Sequence, residues 1–131
     1  MLLGGLPGTQ GGTVANEITL SGSISYSKNK AKAALAGSAT ASQTGDHYVQ
    51  EVQDVGTVEE QLAKGDIGTI GWCAFRNMDT VNFVQIGAAA GEYSIKLGPG
   101  EFHGPMRWSG SAVYAKADTA ACKVEYLLLE L

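Results

Sequence analysis

The stretch that most constrains the fold is residues 65–87, GDIGTIGWCAFRNMDTVNFVQIG, where two apolar runs flank a turn. β-Branched and aromatic residues suit a pleated sheet, and Asn and Asp tolerate turn conformations. The stretch therefore predicts a β-hairpin with a five-residue loop at 77–81. Its first run, 69–76, is apolar on both faces, with Ile70, Trp72 and Ala74 on one side and Cys73 and Phe75 on the other. Such a strand belongs at the centre of a sheet between two layers, so we expect this hairpin to form the core.

The rest of the chain has the spacing of an all-β protein. Apolar and polar residues alternate over 17–27 and 92–97, residues 48–55 form a further predicted strand, and turn signals separate eight or nine short strands at intervals of about 8–12 residues. The pattern predicts an antiparallel, jelly-roll-like β-sandwich. Two segments are ambiguous. The alanines of 31–43 suit a helix, but the Gly, Ser and Thr between them favour a strand; residues 57–64 fit either two helical turns behind a capping box or a strand edge and a loop.

Composition limits the class of protein. A chain of 131 residues is the size of one domain, with 44% apolar and 17% charged residues. We expect an extended, glycine-rich N-terminal arm over 1–16 and a single β-sandwich domain over 17–131. The net charge of −4, with scattered basic residues, argues against a specific nucleic-acid partner. No apolar run reaches the ~18 residues of a membrane span, and the start lacks the basic region of a signal peptide.

Residues that could carry catalysis are few, and we expect no enzyme, cofactor or metal site. His47 follows an aspartate in a predicted turn. The run 97–103, LGPGEFH, is similar to part of the first cupin motif, but Pro105 stands where the second ligand would be needed, which makes a cupin-like metal site around His103 a remote alternative. Cys73 and Cys122 both fall in predicted strands, where buried free thiols are the usual state.

Apolar and aromatic side chains outside the core are the better candidates for function. The final strand, from Tyr126 on, is apolar on both faces and carries one charge, so it is either covered within the sandwich or paired with a neighbouring subunit. Trp108, which precedes Ser109 and Gly110, is the aromatic residue that we expect at the surface. The candidate partner-binding residues are Leu2, Leu3, Leu6, Trp108, Leu129 and Leu131.

The second half of the chain resembles a known group of proteins. The runs GDIGTIGW at 65–72, FRNMDTVNFVQIG at 75–87, LGPGE at 97–101 and YAKADTAACKVEY at 114–126 resemble small virion structural proteins of tailed bacteriophages. The resemblance implies a jelly-roll-like structural subunit located in the virion and assembled in the host cytoplasm. It points first to a capsid decoration (cement) protein, whose partners would be the major capsid protein and copies of itself.

We also expect a homo-oligomer, with a trimer among the options, and, from the lack of a long apolar run, no membrane partner. A tail or fibre component is the alternative within the same group. Its partners would be tail proteins or a glycan, bound through an aromatic face that uses Trp108 or Tyr93.

Overall fold

The computed structural model describes residues 15–131, and within them the protein is all-β and antiparallel, without a helix. This confirms the predicted fold class. The strands are β1 (Ile18–Lys28), β2 (Ala31–Ala41), β3 (Tyr48–Val55), β4 (Glu60–Gln61), β5 (Ile70–Asn77), β6 (Val84–Gly87), β7 (Ile95–Leu97), β8 (Phe102–Arg107), β9 (Tyr114–Ala117) and β10 (Cys122–Glu130).

The chain divides into two compact units, Met1–Gln43 and Thr44–Leu131. In the first unit, β1 and β2 form a two-stranded ribbon whose register runs without a break from Ile18 opposite Ala41 to Lys28 opposite Ala31. Asn29 makes the turn with φ of 58°, a left-handed conformation that Asn adopts readily. The strand alternative for 31–43 is confirmed, because pairing with β1 satisfies its backbone groups and its Ser, Thr and Gly residues favour no helix.

This division differs from the single domain expected over 17–131. The alternation of β1 marks it as a strand, but it does not reveal that β1 pairs with β2 along its whole length. A strand that finds its partner in the next segment of the chain forms a local ribbon. The boundary between units therefore falls after Gln43.

The second unit is a jelly roll. One sheet has the order β3-β10-β5-β8 and the other has the order β4-β9-β6-β7. Numbered from β3, these orders read 1-8-3-6 and 2-7-4-5, so the chain passes from one sheet to the other at nearly every connection. That nesting of two Greek keys defines the jelly-roll sandwich.

The hairpin predicted over 65–87 is wrong, although the central position of its first strand is confirmed. β5 lies between β10 and β8, whereas β6 pairs with β7 and β9 in the opposite sheet. The intervening residues cross between sheets, and the carboxylate of Asp79 accepts hydrogen bonds from the main-chain N–H groups of Val81 and Asn82 there. An Asp-rich turn signal is the same for a hairpin and for a crossover, so the sequence pattern could not separate them.

Strand pairing also decides between the two alternatives for residues 57–64. The helical alternative for 57–64 is wrong, since Glu60 and Gln61 pair with β9 as β4. The Glu60 carboxylate accepts hydrogen bonds from the main-chain N–H of Gly56, at 3.1 Å, and from the Gln53 side chain, at 3.0 Å. The carboxylate thus stabilises the turn that enters β4.

The core lies between the two sheets. β10 contributes alternate buried residues, and the free thiols of Cys73 and Cys122 are buried as expected. Ile70 lies in the core with Phe75 rather than with Trp72, because an irregularity opposite Leu129 and Glu130 shifts the register of β5. The buried cluster comprises Val55, Leu62, Ile67, Ile70, Cys73, Phe75, Val84, Ile86, Ile95, Leu97, Trp108, Val113, Ala115, Ala117, Cys122, Val124, Tyr126 and Leu128.

Asn77, at the end of β5, is a fully buried polar residue. Its side-chain N–H group donates to three carbonyl oxygens, those of Asn82 (2.9 Å), Leu97 (3.0 Å) and Gly98 (3.1 Å), and its oxygen accepts from the N–H of Asp79 at 2.9 Å. One amide therefore joins the end of one sheet to the crossover loop and to the end of β7 in the other sheet.

We expect Asn77→Leu to lower the free energy of unfolding by about 3 kcal/mol, because it leaves buried carbonyl oxygens without donors. Urea denaturation of the two proteins measures the difference. Asn82→Ala is the matched control and should cost less than about 1 kcal/mol, since its side chain makes an exposed contact with Thr119. Equal losses in the two variants would contradict the role given to Asn77.

Candidate interaction surface

The surface that stands out is the outward side of the sheet β3-β10-β5-β8. On β10, the inward residues Cys122, Val124, Tyr126 and Leu128 are buried, while Leu127 and Leu129 point to the opposite side and are half-buried. The same alternation on the neighbouring strands brings further apolar side chains to that side. The outer apolar face comprises Tyr48, Val52, Trp72, Ala74, Phe102, Leu127 and Leu129.

The pairing register arranges this face in rows across the sheet. Leu127 stands between Gln50 and Ala74, and Leu129 stands between Tyr48 and Trp72. A shallow depression of about 360 Å³ lies along the Ala74–Leu127 row and extends to Phe102. Phe102, which lines the depression, is 60% exposed, and Tyr48, in the row of Leu129, is 67% exposed.

Charged pairs border the face. Arg76 donates through Nε to the Glu125 carboxylate at 3.0 Å, and Lys123 lies 2.9 Å from Asp54. At the other end, the Arg107 guanidinium lies 4.5 Å from the centre of the Trp72 ring, a cation–π contact. An apolar centre with a polar rim is the usual anatomy of a protein–protein interface.

The candidate residues proposed from the sequence differ in where they lie in the structure. Leu129 lies on the outer apolar face, and Leu131 is exposed at the chain end. The expectation that Trp108 is a surface residue is wrong: it is 7% exposed, meets the Phe75 ring edge-on at 5.7 Å, and donates from its indole N–H to the Ala112 carbonyl at 3.0 Å. Leu2, Leu3 and Leu6 lie outside the described residues, as does most of the expected arm.

From the sequence, core packing is the favoured interpretation for Tyr48, Trp72 and Phe102, and Val52 is not singled out, so none of the four is a committed surface candidate. The sequence did contain a signal for this face, because a central strand that is apolar on both sides places apolar residues on the outer side of its sheet as well as in the core. The doubly apolar final strand is indeed covered on both edges, since β10 lies between β3 and β5. This confirms the first of the two alternatives stated for it.

Three side chains that could ligate a metal make contacts that hold loops of the sandwich together. Within residues 15–131, the one group of three potential metal-ligating side chains is Asp46, His47 and Glu130. The Glu130 carboxylate accepts hydrogen bonds from the main-chain N–H groups of Asp46, His47 and Gly68 and lies 3.0 Å from His47 Nδ1. It thus holds the loops before β3 and before β5 against the end of β10. His103, the residue of the cupin-like alternative, is not part of that group.

Other reactive groups are held in unreactive states. Burial raises the pKa of Cys73 to about 12, so its thiol stays protonated at neutral pH. The Tyr93 hydroxyl donates to the Glu59 carboxylate, which raises the pKa of Tyr93 to about 12 and lowers the pKa of Glu59. Tyr93 therefore has its hydroxyl engaged within its own unit.

Comparison with known proteins adds no relative. No protein-family model, no curated protein and no solved structure matches this chain.

Residues 15–131 contain no helix that is long and apolar enough to cross a membrane.

The contacts of Glu130 predict a pH-dependent contribution to stability. The main-chain N–H of Gly68 and the His47 side chain lower the pKa of Glu130 below 4.5, so its contribution is present above that pH and is lost as the pH falls through the lowered pKa. The hydrogen bond to Glu130 raises the pKa of His47 above 6.5, so that contribution is complete below 6.5 and is lost as the pH rises through the raised pKa. Both are present together between about pH 4.5 and about pH 6.5.

We therefore expect Glu130→Gln to lose most stability, relative to the native chain, in that window. Denaturant midpoints measured from about pH 3 to about pH 9 give the profile. Glu92→Gln, at an exposed turn position, should leave the profile unchanged. A stability difference for Glu130→Gln that is constant across pH would contradict the assignment.

Proposed function

We propose that this protein is a non-enzymatic structural subunit of a tailed-phage virion, and specifically a capsid decoration protein that binds across major capsid subunits and stabilises the head. The observation that carries the proposal is the outer apolar face on a jelly roll whose core is already complete. The resemblance of residues 65–126 to small virion structural proteins supplies the biological setting.

The outer apolar face is unusual for a sandwich of this kind. The outer side of an antiparallel sheet normally faces water and carries polar side chains. Here the centre of the sheet presents Trp72, Leu127 and Leu129 on that side. Contiguous exposed apolar groups on a folded domain mark interaction sites, because burying them against a partner releases ordered water.

The arrangement suits a repetitive mechanical role. A shell offers many identical junctions, and each copy would bury its outer apolar face against one of them. Copies linked by contacts with their neighbours gain avidity, so that modest single contacts give lasting attachment. The proposed mechanism is reinforcement of subunit junctions, with no chemical step.

A tail or fibre component with a protein- or glycan-binding face is the second candidate. The exposed rings of Tyr48 and Phe102 favour it, since flat aromatic surfaces can stack on partners of either kind. The two candidates share the same face and differ in the particle to which it attaches.

The test is co-sedimentation of the purified protein with phage capsids that lack it and, separately, with isolated tails. We expect saturable binding to capsids, and we expect the double variant Tyr48→Asp/Phe102→Asp to weaken it at least about tenfold by placing two charges on the outer apolar face. The matched control is Val58→Asp/Val81→Asp, at positions 79% and 76% exposed and outside the outer apolar face. That control should bind like the native chain.

Binding to tails alone would replace the capsid assignment with the tail assignment. Equal binding by both double variants would remove the outer apolar face from the mechanism. Absence of binding to either particle would overturn the virion proposal itself.

A further inference from the structure

The β1–β2 ribbon has one apolar face and one polar face. Directly paired residues point to the same side of a ribbon, and successive residues point to opposite sides. The polar face carries the pairs Thr19–Thr40, Ser21–Ser38, Ser23–Ala36, Ser25–Ala34 and Ser27–Lys32. The ribbon apolar face carries the pairs Ile18–Ala41, Leu20–Ala39, Gly22–Gly37, Ile24–Leu35, Tyr26–Ala33 and Lys28–Ala31.

Much of the ribbon apolar face is open to solvent. Leu35 is 73% exposed, Ile24 is 68% exposed and Tyr26 is 49% exposed. A two-stranded ribbon is at best marginally stable in water unless its apolar side packs against something. The long, unbroken register of this ribbon therefore calls for a surface that covers the face.

The face carries a notch directly beside a projection. Gly22 and Gly37 are paired, and a Cβ atom added to either would meet no atom of residues 15–131 within 4 Å. The next pair on the same side, Ile24 and Leu35, is the bulkiest of the aliphatic pairs. Notch and projection lie on either side of the ribbon midpoint, the level of Ser23 and Ala36.

From this pattern we infer that the ribbon apolar face binds the same face of a second copy of this chain, in antiparallel orientation about a twofold axis at the level of Ser23. In that arrangement β1 stacks on β1 with its direction reversed. Ile24 of each copy then enters the notch at Gly22 of the other, and Leu35 enters the notch at Gly37.

The remaining pairs match under the same operation. Leu20 meets Tyr26, and the alanine beside each meets another alanine. Ile18, which would face Lys28 of the other copy, is already buried in the single chain at 7% exposed, so the contact extends from the Leu20–Ala39 pair to the Tyr26–Ala33 pair. The exposed part of the face is thus complementary to its own reverse, as a twofold interface requires.

Charge favours the same orientation. Lys28, Lys30 and Lys32 gather at the turn end of the ribbon, and Glu17 lies at the open end. A parallel stack would bring both sets of lysines together, which is unfavourable. The antiparallel stack separates the two groups of lysines by the ribbon length, about 36 Å for strands of this size. Each group then lies near Glu17 of the other copy.

The area buried between the two copies determines how tightly the dimer is expected to bind. The face from Leu20 to Tyr26, about 23 Å long and about 10 Å wide on each copy, buries roughly 460 Å² in total, below the 1,200–2,000 Å² or so of stable complexes. The contact should therefore be a weak, reversible dimer in solution. The dimer becomes more stable where two copies are already bound to one surface. The inference stands whether or not the outer apolar face binds a capsid.

The test is sedimentation velocity of the full chain over a wide concentration range. We expect a monomer–dimer equilibrium, and we expect Gly22→Glu and Ile24→Lys each to raise the dissociation constant at least about tenfold. Both positions have room or exposure in the single chain, so the variants should fold. Ser23→Glu, at the adjacent position on the polar face, is the matched control and should dimerise like the native chain.

Mixing the two variants tests the orientation. The introduced carboxylate and ammonium groups face each other in a mixed dimer, so an equimolar mixture of Gly22→Glu and Ile24→Lys should form a heterodimer at concentrations where each alone is monomeric. A native chain that stays monomeric, a trimer, a control as weak as the two variants, or a mixture without heterodimer would each overturn the proposal. Dimerisation that appears only after deletion of residues 1–14 would also overturn it, since the chain's own N-terminal residues would then cover the face.

Discussion

The jelly-roll unit depends on one buried amide at the point where the chain leaves one sheet for the other. Asn77 ends β5, and its side chain satisfies carbonyl oxygens from the crossover loop and from the end of β7. Without those donors, the loop would have to leave buried carbonyl groups unpaired, at a cost of about 1–3 kcal/mol each. The connection that prevents β5 and β6 from forming a hairpin is therefore held by a specific hydrogen-bond network and not by apolar packing alone.

The crossover also determines which surface the protein presents. Because β6 moves to the opposite sheet, β5 is flanked by β10 and β8, and two strands with apolar residues on both faces become neighbours. Their inward residues fill the core, and their outward residues, among them Trp72 and Leu127, remain as the outer apolar face. A surplus of apolar side chains beyond what the core can hold is the physical basis for the proposal of a structural, surface-binding role.

The ribbon unit presents the same physical situation in a simpler form. Within residues 15–43 the two strands have a single apolar side without a second layer, so the complementarity of that side with its own reverse carries the inference of self-association. In each unit, an antiparallel sheet keeps apolar side chains in contact with water within the described part of the chain. Such surfaces are typical of subunits that complete their burial only in an assembly.

The sequence alone determined the class of fold, because alternation and turn spacing depend on local chemistry. β3 begins and ends where its pattern predicts, and the ambiguous segment 31–43 is a strand. For the last strand the sequence left two alternatives, and the structure shows the strand covered between β3 and β5. Only the tertiary structure decided which strands pair, since an Asp-rich turn serves a hairpin and a crossover equally. For the same reason Trp108, next to a Ser-Gly turn, is buried against Phe75, and the outer apolar face emerged only once β3, β5, β8 and β10 were brought side by side. Burial depends on contacts between residues far apart in the chain, which local patterns do not encode.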